Sequence, residues 1–207
     1  MEILHQVLQQ LINGISLGSI YALIALGYTM IYGIIKLINF AHGDIYMVGA
    51  YIGFFAITQA HLSIVPSLLI SLVVTGFLGM LVERLAYKPL RHAPRISVLI
   101  TAIGVSFFLE YTTMYFVSPT PRTFPAMFGD VAVTVGGIVI NGQQMLILGI
   151  TAVLMVILTY IVQKTKTGKA MRAASFDTET AELMGINSDR IISITFGIGS
   201  ALAAVAG

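Results

Sequence analysis

Unbroken apolar runs of roughly 20 residues dominate the chain, and no other feature constrains its fold as strongly. A helix of that length crosses the ~30 Å hydrocarbon core of a bilayer. Charged residues make up only 10% of the 207 residues, against about 25% in soluble domains. Inside lipid every backbone N–H and C=O needs a partner within the chain, and runs without strand-like alternation favour helices over a barrel. The sequence therefore predicts an all-α fold, a polytopic transmembrane helix bundle.

Polar segments divide the chain into six apolar blocks. The blocks are residues 7–35, 45–57, 67–85, 96–117, 145–162 and 191–207. The second block is short for a span, so either it crosses with a tilt or the preceding stretch 36–44 enters the bundle as a break between half-helices. The last block ends without a polar flank, which predicts a chain truncated at its carboxy terminus. No linker or repeat interrupts residues 1–207, so we expect one transmembrane domain.

Two connecting segments are rich in basic residues and indicate the side of the membrane on which they lie. They hold Arg84, Lys88, Arg91 and Arg95 after the third block, and Lys164, Lys166, Lys169 and Arg172 after the fifth. Cytoplasmic loops carry an excess of Lys and Arg, so both segments are predicted to be cytoplasmic. Counting back through three spans places the amino terminus outside, and the count reverses if block 45–57 is re-entrant.

The segment between the fourth and fifth blocks is predicted to lie on the opposite, periplasmic side. Its residues 131–135 and 138–140 are rich in β-branched side chains and flank Gly136 and Gly137. A two-residue glycine turn between such stretches is a hairpin signal. We therefore expect a small periplasmic β-hairpin.

Several functional classes are excluded by what the sequence lacks. There is no cysteine, hence no disulfide or thiolate metal site. No phosphate-binding loop, nucleophile elbow or paired-histidine zinc motif is present. His42, two residues from Asp44, has too few further ligands around it for a zinc site, and the net charge of +2 is too small to suggest nucleic-acid binding. We expect no enzymatic activity, metal, cofactor or nucleic-acid partner, and a chain surrounded by membrane lipid.

Glycines at four-residue spacing mark two helices for close packing. Gly14 and Gly18 lie in the first block, and Gly49 and Gly53 lie in the second. Small residues at this spacing let the backbones of membrane helices approach each other. We predict that both pairs are packing sites.

The segment 164–190 is longer and more polar than a simple connection requires. Asp177 or Thr178 can cap a short helix, and Gly185 can end it. The apolar face of that helix, with Ala181 and Met184 and with Leu183 nearby, can pack on the bundle or enter a groove of a soluble partner. Both interpretations are open at this point.

A family resemblance lies in the same segment. Glu179-Thr180-Ala181, followed by Gly185, resembles the EAA-x-x-x-G loop of ABC importer permeases, although Thr180 replaces the middle alanine. The fuller string RAASFDTETAELMGINSDR and the upstream INFAHGDIYMVGAY resemble branched-chain amino acid permeases of the LivH type. This narrower resemblance covers essentially the whole chain.

The resemblance implies the permease subunit of an ATP-driven importer for branched-chain amino acids in the bacterial inner membrane. It implies two ATPase subunits, a second related permease and a periplasmic substrate-binding protein as partners, with ATP hydrolysis in the separate subunits. Residues 164–190 become a cytoplasmic coupling loop of a permease domain. The residues implied for ATPase coupling are Asp177, Glu179, Ala181, Glu182, Leu183, Met184 and Gly185.

Polar residues near membrane depth are costly and are often functional. Asn39, His42 and Asp44 lie in the polar stretch that the resemblance places among the helices lining the translocation path, so we expect gate residues there. If that stretch is a cytoplasmic turn, Asn39 and Asp44 are ordinary turn and capping residues. Glu83 is expected to form an interfacial charge pair with Arg84.

Two other classes of protein stay open. An ion-coupled secondary transporter would use Asp44 or Glu110, the latter inside the fourth block, as its coupling site. A structural membrane subunit would use neither. Within the resembling class, amides, urea or other amino acids are alternative substrates.

Overall fold

The structure, a computed structural model, describes residues 2–91, 93–125, 132–135 and 138–207. Within these ranges the chain forms eight α-helices and two strands. The helices are α1 (Glu2–Ile35), α2 (His42–Thr58), α3 (Ile64–Val82), α4 (Arg95–Val117), α5 (Gly142–Lys164), α6 (Lys166–Phe176), α7 (Thr178–Leu183) and α8 (Ser188–Ala206), and the strands are β1 (Ala132–Val135) and β2 (Ile138–Asn141). A π-helical segment, Glu83–Tyr87, and a 3₁₀ turn, Lys88–Leu90, continue α3.

Among the described residues, five helices are long and apolar enough to cross a membrane: α1, α3 with its continuation to Leu90, α4, α5 and α8. Helix α2 has 17 residues, a length of about 26 Å, which is slightly less than the hydrocarbon core. The predicted polytopic bundle and its small antiparallel sheet are both confirmed.

Helix α8 lies at the centre and packs on α1, α2 and α3. Glycines permit this contact because their backbones can touch without an intervening side chain. A Cβ added to Gly27 of α1 would lie 2.5 Å from the carbonyl oxygen of Gly199, and one added to Gly49 of α2 would lie 2.7 Å from Ala204. Close contacts at these glycines therefore bring α1 and α2 directly against α8.

The β-hairpin lies at the amino-terminal end of α1. Strands β1 and β2 are antiparallel, with Val135 opposite Ile138, while Gly136 and Gly137 of the predicted turn lie outside the described residues. The side chain of Gln9 donates to the carbonyl oxygen of Val139 at 2.8 Å and accepts from its N–H at 2.9 Å. The amino terminus and the hairpin thus lie on the same side.

The basic segments gather at the opposite end. Buried residues from α1, the π-helical segment, α6 and α8 form one apolar cluster there, including Ile34, Tyr87, Met171 and Ile191. Because Lys and Arg are enriched on the cytoplasmic side of membrane proteins, their position here agrees with the predicted cytoplasmic location of this end and with a hairpin on the opposite side.

Two features at this end differ from the sequence-based expectation. Residues 166–176 form α6 where a polar loop was expected; Thr165 caps it by accepting from the N–H of Gly168 at 3.0 Å. Glu83 pairs with Arg91 and not with Arg84, which is exposed. The turn of chain after the π-helical segment brings Arg91 back over the carboxylate.

Candidate coupling surface and buried break

Helix α7 is a short helix at the basic end of the bundle, and its two ends are determined locally. The carboxylate of Asp177 accepts from the N–H of Thr180 at 3.1 Å and from its hydroxyl at 2.6 Å. These side-chain and backbone hydrogen bonds from Thr180 hold the pKa of Asp177 below its ordinary value of 3.8. At the other end Gly185 adopts φ +84°, and its N–H donates to the carbonyl oxygen of Glu182 at 2.9 Å. The predicted cap and glycine stop are both present.

The apolar side chains in and beside α7 differ in exposure, since one is buried and the others face outward. Ala181 is 4% exposed and packs on the bundle, whereas Leu183 and Met184 are 87% and 80% exposed. Phe176, just before the cap, is 92% exposed. We call the three exposed residues the docking patch. Glu179 and Glu182 are also exposed and lie on the same helix, and an exposed apolar patch with a polar rim is typical of an interaction site.

Phe176 was missed by the sequence reasoning. Its position immediately before the N-cap was the available signal, since an apolar residue there commonly packs on the fourth helical residue. That residue is Ala181, but the exposure of Phe176 shows that no such contact forms. Its side chain is free for a partner.

The break between α1 and α2 is enclosed by protein at Asn39 and His42. The Oδ1 atom of Asn39 accepts from the Tyr87 hydroxyl at 2.7 Å and from the N–H of Ala41 at 3.1 Å. His42 begins α2, and its Nε2 lies 3.3 Å from the carbonyl oxygen of Ile24. Asn39 and His42 are 3% and 2% exposed. Their remaining nitrogens, Nδ2 and Nδ1, have no hydrogen-bond partner within the described chain.

Asp44 faces a different neighbour. Its side chain is half-buried and accepts a short hydrogen bond from the hydroxyl of Ser106 on α4. Glu110, further along α4, is half-buried as well, and no bond to its carboxylate forms within the part of the chain described. The structure thus brings Asn39 and His42 together and sets Asp44 apart from them.

Two cavities accompany these elements. A cavity of about 760 Å³ lies toward the hairpin, between α1, α2, α3, α5 and the end of α8, and its described lining residues are all uncharged. A groove of about 450 Å³ beside Asn39 and His42 is walled by Ile24 and Tyr28 of α1. Both are large enough for a small organic solute.

The four glycines predicted to pack have different surroundings. Gly49 lies against Ala204, as described above, and a Cβ on Gly53 would be 3.9 Å from the Cβ of Ser71. A Cβ on Gly14 or Gly18 would meet no atom of the described residues within 4 Å. A packing role for that first pair stays a prediction.

The bundle of apolar helices, with its basic end and its uncharged cavity, defines a multi-pass membrane protein. Residues 10–207 match the model of the family described as branched-chain amino acid transport system permease component. The chain belongs to this family, and it is a multi-pass transport protein of the inner membrane.

Individual relatives agree with the family assignment. The chain is 45% identical to the high-affinity branched-chain amino acid transport system permease protein BraD of Pseudomonas aeruginosa, over 99% of this chain and 70% of the relative. It is 42% identical to the LivH permease protein of Escherichia coli K12, over 97% and 69%. A probable LivH permease of Methanocaldococcus jannaschii is 27% identical over 92% and 62%. No solved structure matches the chain.

Proposed function

We propose that this permease is one half of the translocation pathway of an ATP-driven importer for branched-chain amino acids. The docking patch carries the proposal. It presents three large apolar side chains on the cytoplasmic end of a chain that has no nucleotide-binding motif of its own. The family and the names of the relatives support the substrate class.

Helix α7 docks on a separate ATPase subunit in this proposal. Phe176, Leu183 and Met184 supply the apolar contact, while Glu179 and Glu182 supply a charged rim that orients it. Asp177 and Gly185 fix the ends of the helix, and Ala181 anchors it to the bundle. Two ATPase subunits and a second, related permease complete the assembly.

Substrate enters from the hairpin side in the same proposal, delivered by a periplasmic binding protein. The uncharged lining of the outer cavity suits aliphatic side chains and disfavours charged ones, because an unpaired charge is costly to bury. Asn39, His42 and Asp44 are assigned to the path or its gate. Two nitrogens of Asn39 and His42 without partners support that assignment, since a polar solute could satisfy them.

Retention of ATPase subunits by the purified full-length permease tests the docking role. Wild type is compared with Leu183→Glu and Met184→Glu, which place a charge in the patch, and with Gln163→Glu, which places the same charge on an exposed residue at the end of α5. We expect both patch variants to lose the ATPase and Gln163→Glu to keep it. Equal retention by all four proteins would contradict the docking role.

Uptake measurements in lipid vesicles test the class and the substrate. ATP-dependent uptake of leucine, isoleucine and valine is the expected result. Uptake that survives ATP depletion but collapses with an ion gradient would replace the proposal with an ion-coupled transporter using Asp44 or Glu110. Uptake of amides or urea in preference to these amino acids would keep the class and change the substrate.

A further inference from the structure

The π-helical segment Glu83–Tyr87 carries a fully buried carboxylate. Glu83 is 0% exposed, and its two oxygens accept short hydrogen bonds from the guanidinium of Arg91 and the hydroxyl of Ser193 on α8. Arg91 also pairs with Asp189 in the first turn of α8. The ammonium of Lys88 lies 2.7 Å from the carboxylate of Asp189. The segment is thereby tied to the cytoplasmic end of the central helix.

This arrangement is costly compared with an apolar contact of similar volume. Taking two charges out of water costs several kcal/mol for each ion before their attraction is counted, so a buried pair is weak evidence for a stabilising role. Single π-helical turns inside α-helices occur frequently at functional sites. A role other than stability therefore has to account for Glu83.

The same segment contacts the break on its other side. The Tyr87 hydroxyl donates to Oδ1 of Asn39 at 2.7 Å, a hydrogen bond between residues 48 positions apart. The ring of Tyr87 packs against Phe196 of α8, with the ring centres 5.3 Å apart. One turn of π-helix thus joins the start of α8 to the residue at which α1 and α2 separate.

Helix α8 is in turn connected directly to α7. Only residues 184–187 separate the two helices, and Asn187 caps α8 by accepting from the N–H of Arg190 at 2.9 Å. A displacement of α7 by a docked partner would therefore move Asp189 and Ser193, the two α8 residues that hold the π-helical segment through Arg91 and Glu83.

We infer that the π-helical segment is the mechanical link between the docking helix α7 and the break at Asn39. Glu83, Arg91 and Ser193 connect it to α8, and Tyr87 connects it to Asn39. These are positioning residues that touch neither substrate nor nucleotide. The inference rests on the proposed function, because it requires an ATPase that moves α7.

The number of substrate molecules transported per ATP hydrolysed measures how well this link couples the two events. The full-length permease is assembled with its ATPase subunits, second permease and binding protein in lipid vesicles. Tyr87→Phe removes only the hydroxyl bonded to Asn39, and Ser193→Ala removes only the one bonded to Glu83. We expect each to keep the ATPase bound and to lower transport per ATP about fivefold, the factor that corresponds to one hydrogen bond of about 1 kcal/mol.

Two matched variants control for loss of a hydroxyl elsewhere. Tyr115 on α4 is 83% exposed, so Tyr115→Phe should transport as wild type. Among the described residues the hydroxyl of Ser19 bonds to Ile15 of its own helix and to no other residue, so Ser19→Ala should do the same. If either change breaks the same connection, the double variant Tyr87→Phe/Ser193→Ala transports no less per ATP than the more impaired of the two single variants.

The outcomes separate the inference from the function on which it rests. A wild-type permease that fails to retain the ATPase overturns the proposed function itself. A working wild type whose Tyr87→Phe and Ser193→Ala variants transport normally per ATP overturns the link alone. Losses that multiply in the double variant also overturn it, because they would show that the two hydroxyls act independently and not within one connection.

Discussion

Helices α5 and α8 are both apolar enough to cross the membrane, but they have opposite environments. In α8, 56% of the most apolar 18-residue stretch is buried, against 11% in α5. Helix α5 has the higher mean hydropathy of the two. Its exposed face carries large side chains such as Val153, Val156 and Tyr160, whereas α8 presents Gly197, Gly199 and neighbouring alanines to its partners.

The comparison shows that in this chain the more apolar helix is the more exposed one, so hydropathy does not report burial. Lipid tails are as apolar as leucine, so burying an apolar side chain between helices gains little. Small residues and hydrogen bonds determine which helix lies inside. Ser71 of α3, for example, is buried and donates to the carbonyl oxygen of Gly49 at 2.6 Å.

The largest loss of stability is expected at the ion pairs that Arg91 forms with Glu83 and with Asp189 of α8, which we call the ionic anchor of α8. Helix α5 has no such ion pair among the described residues. Arg91→Met would leave the Glu83 carboxylate buried without its cation, and breaking such a pair costs about 3 to 5 kcal/mol. Unfolding of the purified protein by denaturant in detergent micelles measures the loss. Replacing both partners, Glu83→Leu with Arg91→Met, should recover most of it. A single variant as stable as wild type would show that the anchor contributes nothing to the position of α8.

The next largest loss of stability is expected at the glycine contacts with α8. Gly27→Val would force a side chain into the carbonyl oxygen of Gly199, and overpacking of this kind costs about 1 to 3 kcal/mol. Gly18→Val on the same helix, where the added Cβ meets no described atom within 4 Å, is the matched control and should unfold as wild type. If Gly18→Val instead disrupts only the complete assembly, that face of α1 packs on another subunit.

A smaller difference in stability is expected when one isoleucine on each helix is replaced by valine. Ile192 of α8 is 6% exposed and Ile157 of α5 is 47% exposed. Ile192→Val should cost about 1 kcal/mol through the space that it leaves, and Ile157→Val less than about 0.5 kcal/mol because lipid refills the surface. Thermal unfolding in the same detergent compares them. Equal losses would mean that lipid packs on α5 as tightly as protein packs on α8.

The smallest effect lies outside both helices, at the cap of α7. Because the pKa of Asp177 is lowered in the folded chain, its cap is complete above pH 3.8 and is lost only as the pH falls through the lowered value. The protection of the Thr180 amide from hydrogen exchange, relative to its intrinsic exchange rate at the same pH, should therefore fall at acidic pH in wild type. Asp177→Asn keeps an acceptor without titrating, so its protection should lack this fall. The same pH response in both proteins would exclude the carboxylate as its cause.

Local features were the most predictable part of the candidate site. Asp177 caps α7 and Gly185 ends it through contacts with residues fewer than five positions away, so a short window of sequence contains both partners. The bonds of Asn39 to Tyr87 and of Glu83 to Ser193 join residues 48 and 110 positions apart. No pattern in the sequence shows that these residues meet.

The sequence by itself determined the helical bundle and the short capped helix, because segment length and capping act through solvent and near neighbours. The tertiary structure decided which helix became the core. Gly14-Gly18 and Gly49-Gly53 have the same spacing, but a Cβ would clash with Ala204 at Gly49 and would meet open space in the described chain at Gly14. Packing between membrane helices depends on which faces meet, and that is a property of the assembled bundle.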